Sequence, residues 1–305
     1  LITGVVWTPN AAAIAPLATE AKVPFIIMNA GTAMLTTLSP YIARTSFTLW
    51  QSSYPMGQWS SKKFKTAYVA VADYGPGHDA QAGFTKGFTD AGGKVVGEVR
   101  MPPPTSDFAP FLQRVKDAKP EALFVFVPAG KSATALMKAF GDLGLAKEGI
   151  KLIGPGDITT DEELPNMGDV PIGVTTMFHY SAAGDRPANK VFVAAYKKEY
   201  GANAWPNFIS VGAWDAMQLI FDAIKAQGGD SLIVDCGPVG PDYQPGHAHC
   251  DTLSYELHVG GVPIVVDSGT FDYEPGAFRH YLRSTAAHNT VRVDGEEQSE
   301  IWGAF

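Results

Sequence analysis

Two sets of residues have types and spacing suited to chemistry. The first is dispersed: Thr8 in Thr8-Pro9-Asn10, Thr32 in Asn29-Ala30-Gly31-Thr32, Tyr74 in Asp73-Tyr74-Gly75, and Asp157 in Gly154-Pro155-Gly156-Asp157. Each run follows an apolar, strand-like stretch. Hydroxyls and free backbone N–H groups at helix N-termini suit a carboxylate. A tyrosine exposed there can enclose an apolar ligand body. The alternative is that Thr8 and Thr32 only cap helices, the commonest job of threonine at such places. The second set is Gly246-His247-Ala248-His249-Cys250-Asp251, with a later Asp and a later His further along the chain. In extended chain His247 and His249 share one face and Cys250 takes the other. Zinc accepts imidazole nitrogen and carboxylate oxygen, so one reading of these residues is a metal constellation, and the direction of Cys250 argues against it as a ligand. The alternative is a group of histidines hydrogen-bonded on a polar sheet face, because one His-x-His is a weak motif.

The elements that must position these residues change character near Asp230–Ser231. Before it, apolar strands alternate with amphipathic helices. Strand patterns cover Leu1–Val6, Val23–Met28, Lys65–Ala72, Lys94–Arg100, Ala122–Val127, Lys151–Ile153 and Gly173–Phe178. Helical patterns cover Ala11–Ala21 and a stretch with Ala82, Phe84, Phe88 and Ala91 on one side, stopped by Gly92-Gly93. Another begins at Ser106 as cap and carries Phe108, Phe111, Leu112 and Val115. Further helices are Lys131–Leu143, Asn189–Tyr200 and Ser210–Gln227. In the last, Trp214, Met217, Phe221 and Ile224 make an apolar stripe that reads as core packing. This alternation predicts parallel sheets covered on both faces, with ligands beyond the strands' carboxyl ends.

After Ser231 the pattern becomes short strands rich in Gly, Pro, His and Asp, an all-β reading. Leu253, Tyr255, Leu257 and Val259 alternate with Ser254, Glu256 and His258. Gly260-Gly261 turns the chain and Val262–Val266 returns, which predicts a hairpin. Both cysteines and five of the seven histidines fall in this stretch. The 305 residues allow two domains. A net charge of −8 argues against a nucleic-acid partner, which needs clustered Lys and Arg. No apolar run is long enough to span a membrane. The chain opens inside an apolar strand-like run with no visible signal peptide, and that opening reads as a truncation.

Residues 1–230 resemble the substrate-binding proteins of ABC importers for branched-chain amino acids and related carboxylates, closest to the aromatic-acid subgroup. The resemblance rests on Ala15-Pro16-Leu17-Ala18 with Val23-Pro24, Arg44, Asp73-Tyr74-Gly75-Pro76-Gly77, Asp107-Phe108, Lys119-Pro120-Glu121-Ala122-Leu123 and Asn189-Lys190-Val191-Phe192. It implies an α/β periplasmic-binding-protein-like (type I) fold of two lobes, each built on a parallel sheet, closing on a ligand. The second lobe is expected at about 51–178, and an incomplete first lobe at 1–48 and 189–230. The resemblance implies that Thr8, Ala30 and Thr32 grip a ligand carboxylate and that Tyr74 covers the ligand body. It sets Asp157 beside the position that holds an amino group in amino-acid binders. It further implies a periplasmic location and a membrane permease as partner.

Residues 231–305 resemble part of the C-terminal β-sandwich of heparinase II/III polysaccharide lyases. The runs are Val234-Asp235-Cys236-Gly237-Pro238, Gly246–Asp251, Val266-Asp267-Ser268-Gly269-Thr270, Arg283-Ser284-Thr285 with Ala287-His288-Asn289-Thr290, and Asp294-Gly295-Glu296-Glu297-Gln298. This implies a zinc held by His249, Asp267 and His288, with His247 facing a uronate of an acidic polysaccharide. Such a lyase also needs a Tyr and a His from a helical toroid, for which residues 1–230 offer no counterpart, so no lyase turnover is expected. Three readings follow: a solute-binding protein with a foreign tail, a lyase fragment, or an artificial or misassembled join of two gene pieces.

Overall fold

The computed structural model describes residues 1–103, 105–227, 230–234, 253–267, 276–292 and 294–298. The chain forms two compact units, Leu1–Met217 and Gln218–Phe305.

In the first unit, β1 (Ile2–Gly4), β2 (Phe25–Ile27) and β3 (Ile42–Arg44) form a parallel sheet in that order. Helix α1 (Thr8–Ala21) buries Ala11, Ala15 and Ala18. Side chains this small let the helix lie close to the sheet, and Ala11 and Ala18 share one cluster with Phe25, Ile27, Ala30 and Leu35. Lys22, at φ 53°, ends α1 in the left-handed conformation, and its N–H donates to Ala18 O and Thr19 O.

A second sheet is wholly parallel, in the order β5-β4-β6-β7-β8. Its strands are β4 (Thr66–Ala72), β5 (Lys94–Met101), β6 (Ala122–Phe126), β7 (Lys151–Pro155) and β8 (Thr175–Met177). The continuous apolar runs arise because both faces are covered. On one face Tyr68, Ala70, Leu123 and Val125 meet Leu112 and Val115 of α4 (Ala109–Ala118) and Leu136 and Phe140 of α5 (Lys131–Asp142). On the other, Val69, Val71, Phe124 and Phe126 meet Met56 of α2 (Leu49–Ser61) and Phe84 and Phe88 of α3 (Gly75–Asp90). The strand order reverses between β4 and β6, so a crevice is expected beyond their carboxyl ends.

Several local readings need correction. Helix α2 has no counterpart in the sequence reading, because its run Ser52-Ser53-Tyr54-Pro55-Met56-Gly57 lacks a strong apolar period. A capping box starts it: Gln51 N–H donates to Thr48 Oγ1 at 3.2 Å, and Thr48 N–H donates to Gln51 Oε1 at 2.8 Å. Glycines then let it cross α3 almost backbone to backbone. A Cβ at Gly57 would lie 2.5 Å from Phe84 O, and one at Gly87 would lie 2.1 Å from Tyr54 O. On α3 the buried side is Ala80, Phe84 and Phe88, whereas Ala82 and Ala91 are exposed. Asp107 rather than Ser106 satisfies the start of α4, its Oδ1 accepting the Ala109 N–H at 3.1 Å.

Helix α6 spans Pro187–Tyr200 and α7 spans Phe208–Gln227. The stripe expected to pack as core does not: Trp214, Met217 and Ile224 are half-buried and Phe221 is exposed. The buried positions are Phe208, Gly212, Ala216 and Ile220. A Cβ at Gly212 would lie 2.2 Å from Met28 O, and Thr45 Oγ1 donates to Gly212 O at 3.1 Å. Close backbone approach, not side-chain size, therefore sets this helix against the first sheet.

In the second unit, β9 (Ser231–Val234), β10 (Tyr255–Val259) and β11 (Val262–Val265) form an antiparallel sheet in the order β11-β10-β9. The predicted hairpin is present. Gly260 and Gly261, at φ 58° and 77°, supply the positive dihedrals of its two-residue turn. A short helix α8 (Ala277–Arg283), which period-two alternation did not signal, also lies in this segment.

Candidate ligand-binding site

In the first unit, the runs after β1, β2 and β4 converge. Trp7, not Thr8, occupies the cap position of α1, so Thr8 opens the helix with its hydroxyl uncommitted to capping. Thr32 precedes a 3-10 turn at Ala33–Thr37 and also makes no capping bond. Instead the two hydroxyls bond each other, Oγ1 to Oγ1 at 2.8 Å. This pair lies at the foot of α3, where a Cβ on Gly75 would fall 2.7 Å from Thr32 Oγ1 and 3.2 Å from Thr8 Cγ2. Only glycine leaves that space open. Ala30 is fully buried and its N–H already donates to Val5 O at 3.2 Å. It therefore forms a small wall, and the donors at this end are the hydroxyls.

Tyr74 stands at the reversal point of the second sheet, just after β4. Its ring lies 6.0 Å from that of Trp7 and stacks on Phe126 at 6.1 Å. Burial, and then the nearby charge of Asp157, push its phenol well above the usual range. Asp157 begins the turn after β7 and is only 6% exposed. Its Oδ2 finds no hydrogen-bond partner among the described residues, and burial pushes its carboxyl up to about 7. An unsatisfied buried acid of this kind has the chemistry to pair with a cation or accept from a hydroxyl.

Two cavities lie nearby, reaching Trp7 and Gly156, but Thr8, Thr32, Tyr74 and Asp157 line neither of them. An apolar hollow of about 60 Å³ is lined by Trp7, Met101, Pro102, Phe108, Val127 and Pro128. A polar cavity of about 470 Å³ runs past Gly156, Thr160, His179, Tyr180, Asn207 and Phe208. The Thr160 and Tyr180 hydroxyls there are buried without partners among the described residues. Trp7 and Phe126 were missed by the sequence reading. Trp7 carried a signal, as a large ring directly before Thr8, but Phe126 reads as one residue of a core strand.

Of the second set, Asp267 and His288 come together, Oδ2 to Nδ1 at 2.7 Å, with the His288 side chain 1% exposed. His247, His249 and Cys250 lie outside the described residues. Among the described residues no three His, Cys, Asp or Glu side chains converge as a metal site. The Asp267 carboxylate and the His288 imidazole are thus bonded to each other.

Residues 1–233 match the periplasmic binding protein family, and residues 213–305 match the C-terminal region of heparinase II/III-like proteins. The two matches overlap on α7 and β9. A Leu/Ile/Val-binding protein homolog 6 from Brucella melitensis is 44% identical over 229 residues, 75% of this chain and 59% of that protein. Among solved structures, a solute-binding protein of an ABC transporter from Rhodopseudomonas palustris BisB5, in complex with 3,4-dihydroxybenzoic acid, is 52% identical with a TM-score of 0.70. It covers 74% of this chain and 62% of its own. A second, from R. palustris HaA2 with p-hydroxybenzoic acid, is 43% identical with a TM-score of 0.70, covering 74% and 61%. The chain thus spans about three-fifths of the length of the relatives it matches. No described helix is long and apolar enough to cross a membrane. By its match over 1–233 and these likenesses, the chain belongs to the periplasmic binding protein family.

Proposed function

We propose that residues 1–230 act as the periplasmic solute-binding component of an ABC importer and take a small aromatic carboxylate. The observation that carries this reading is the Thr8–Thr32 hydroxyl pair at the foot of α3, next to Tyr74 between Trp7 and Phe126. The two hydroxyls exchange their mutual bond for bonds to the ligand carboxylate, aided by the positive end of α3. Trp7 and Tyr74 enclose the ring. Asp157 accepts a ring hydroxyl. The R. palustris proteins that share this fold at 43–52% identity were crystallised with hydroxybenzoates, which agrees with this choice. Closure of the two lobes presents the loaded protein to a membrane permease.

A branched-chain amino acid is the second reading, and the open carboxyl oxygen of Asp157 favours it, since that acid would hold the ligand ammonium. Titration calorimetry with 4-hydroxybenzoate, benzoate and leucine separates the two. The first reading expects the tightest binding for 4-hydroxybenzoate and a loss of about tenfold or more in Tyr74→Ala. Unchanged affinity in that variant places the site elsewhere.

For the C-terminal segment we propose a zinc held by His249, Asp267 and His288, with His247 facing an acidic sugar and no lyase turnover. The metal would tie separate parts of the segment together. Metal content after dialysis is the measurement. Equal zinc in the parent, Asp267→Ala and His288→Ala chains removes the site, and an unsaturated, ultraviolet-absorbing product from a uronate polymer overturns the non-enzymatic reading.

A further inference from the structure

One peptide group in the first unit is held from both sides by opposite charges. The carbonyl of Thr32 accepts a hydrogen bond from Arg44 Nη2 at 2.7 Å. The N–H of the same peptide, on Ala33, donates to Asp79 Oδ2 at 2.5 Å. Arg44 ends β3 in the first sheet, and its Nη1 also donates to Phe47 O at 3.1 Å, which fixes the guanidinium. Asp79 lies on α3, whose neighbours are the strands of the second sheet. The two charges sense each other across the peptide. Burial raises the Asp79 carboxyl and lowers the Arg44 guanidinium; the Ala33 N–H and then Arg44 partly offset the first, and Asp79 partly offsets the second.

The rest of the contact is steric. Asp79 lies four residues after Gly75, so both are on one face of α3. Gly75 gives the space into which the Thr32 side chain fits, and Asp79 takes the N–H one peptide further along. Helix α3 therefore receives the Thr32 loop at two points one turn apart. Arg44 Nε is buried without a partner among the described residues. A buried donor left unmet is costly, although the rest of this half-buried guanidinium is bonded. What the charge touches is the peptide that follows the Thr32 side chain.

We infer that Asp79 and Arg44 are positioning residues that lock the Thr32–Ala33 peptide across the two sheets, so that gripping the ligand carboxylate and bringing the lobes together become one event. The coupling to ligand rests on the site proposed above, whereas the lock itself does not. Neither residue needs to touch the ligand. Each acts by fixing the plane of one peptide, and with it the direction of the Thr32 side chain toward Thr8.

The test has two arms on the full chain. The first needs no ligand: amide hydrogen exchange at Ala33, with the Thr45 amide as internal control. Thr45 N–H donates to Ile27 O at 3.2 Å in the same sheet and owes nothing to Asp79. Removing a charged acceptor is expected to speed Ala33 exchange about tenfold or more in Asp79→Ala, with Thr45 unchanged and Asp79→Asn in between. If Ala33 does not change, or if Ala33 and Thr45 speed up together, the lock is refuted. The second arm measures 4-hydroxybenzoate binding in Asp79→Ala, Thr8→Ala and the parent. Loss in both variants supports the coupling, and loss in Thr8→Ala alone refutes it. If neither variant alters binding, the site reading fails, and the exchange arm still decides whether the lock exists.

Discussion

Asp157 offers the most direct test of the site chemistry, because its expected behaviour follows from burial alone. The residue is 6% exposed, and Oδ2 has no partner among the described residues. The one compensating interaction is a hydrogen bond from its own backbone, which is weaker than the cost of burial, and the carboxyl rises from 3.8 to about 7. That displacement corresponds to about 4 kcal/mol between the two protonation states. The folded chain binds this proton more tightly than the unfolded chain. Stability is therefore lost as pH rises from about 4 to about 7, and the whole cost is present above 7. Asp157→Asn keeps the shape and removes the charge. Urea unfolding of the ligand-free parent and variant, followed by tryptophan fluorescence, reads the difference. The stability of the variant relative to the parent should grow by about 3 kcal/mol between pH 4.5 and pH 8 and level off above pH 7. Background titrations cancel, because both chains share them. A difference that stays flat with pH would refute the reasoning, since it would mean that something already compensates the buried carboxylate.

Further outcomes follow from other parts of the molecule. In titration calorimetry, Asp157→Asn should abolish leucine binding under the amino-acid reading, because a buried ammonium loses its counter-charge. Under the aromatic reading it should weaken 4-hydroxybenzoate by about tenfold and leave benzoate unchanged. Gly87→Ala puts a methyl group 2.1 Å from Tyr54 O at the crossing of α2 and α3. It should lower the urea stability of the first unit by about 2 kcal/mol or more. Thr48→Ala removes half of the capping box of α2 and should cost about 1 kcal/mol in the same assay.

The parts of this fold that the sequence made legible are those decided by large side chains at short range. Continuous apolar runs such as Val69–Val71 and Phe124–Phe126 announce strands buried on both faces, and they lie where that rule puts them. Thr8, Thr32 and Tyr74 were visible for a similar reason, since each follows a strand and needs only its neighbours to be noticed. What stayed hidden depends on small residues and long separations. Helix α2 owes its place to Gly57 and to Gly83 and Gly87 on α3, and α7 meets the first sheet through Gly212 rather than through Trp214. A glycine carries no periodic signal, yet it decides how near two backbones can come. The same logic governs the site. Gly75 leaves room for Thr32, and Asp79, 46 residues beyond Ala33 in sequence, reaches the next peptide only because that room exists. The hydroxyls that could grip a carboxylate can be named from their own positions. The charges that aim one of them become visible only once the two sheets are in place.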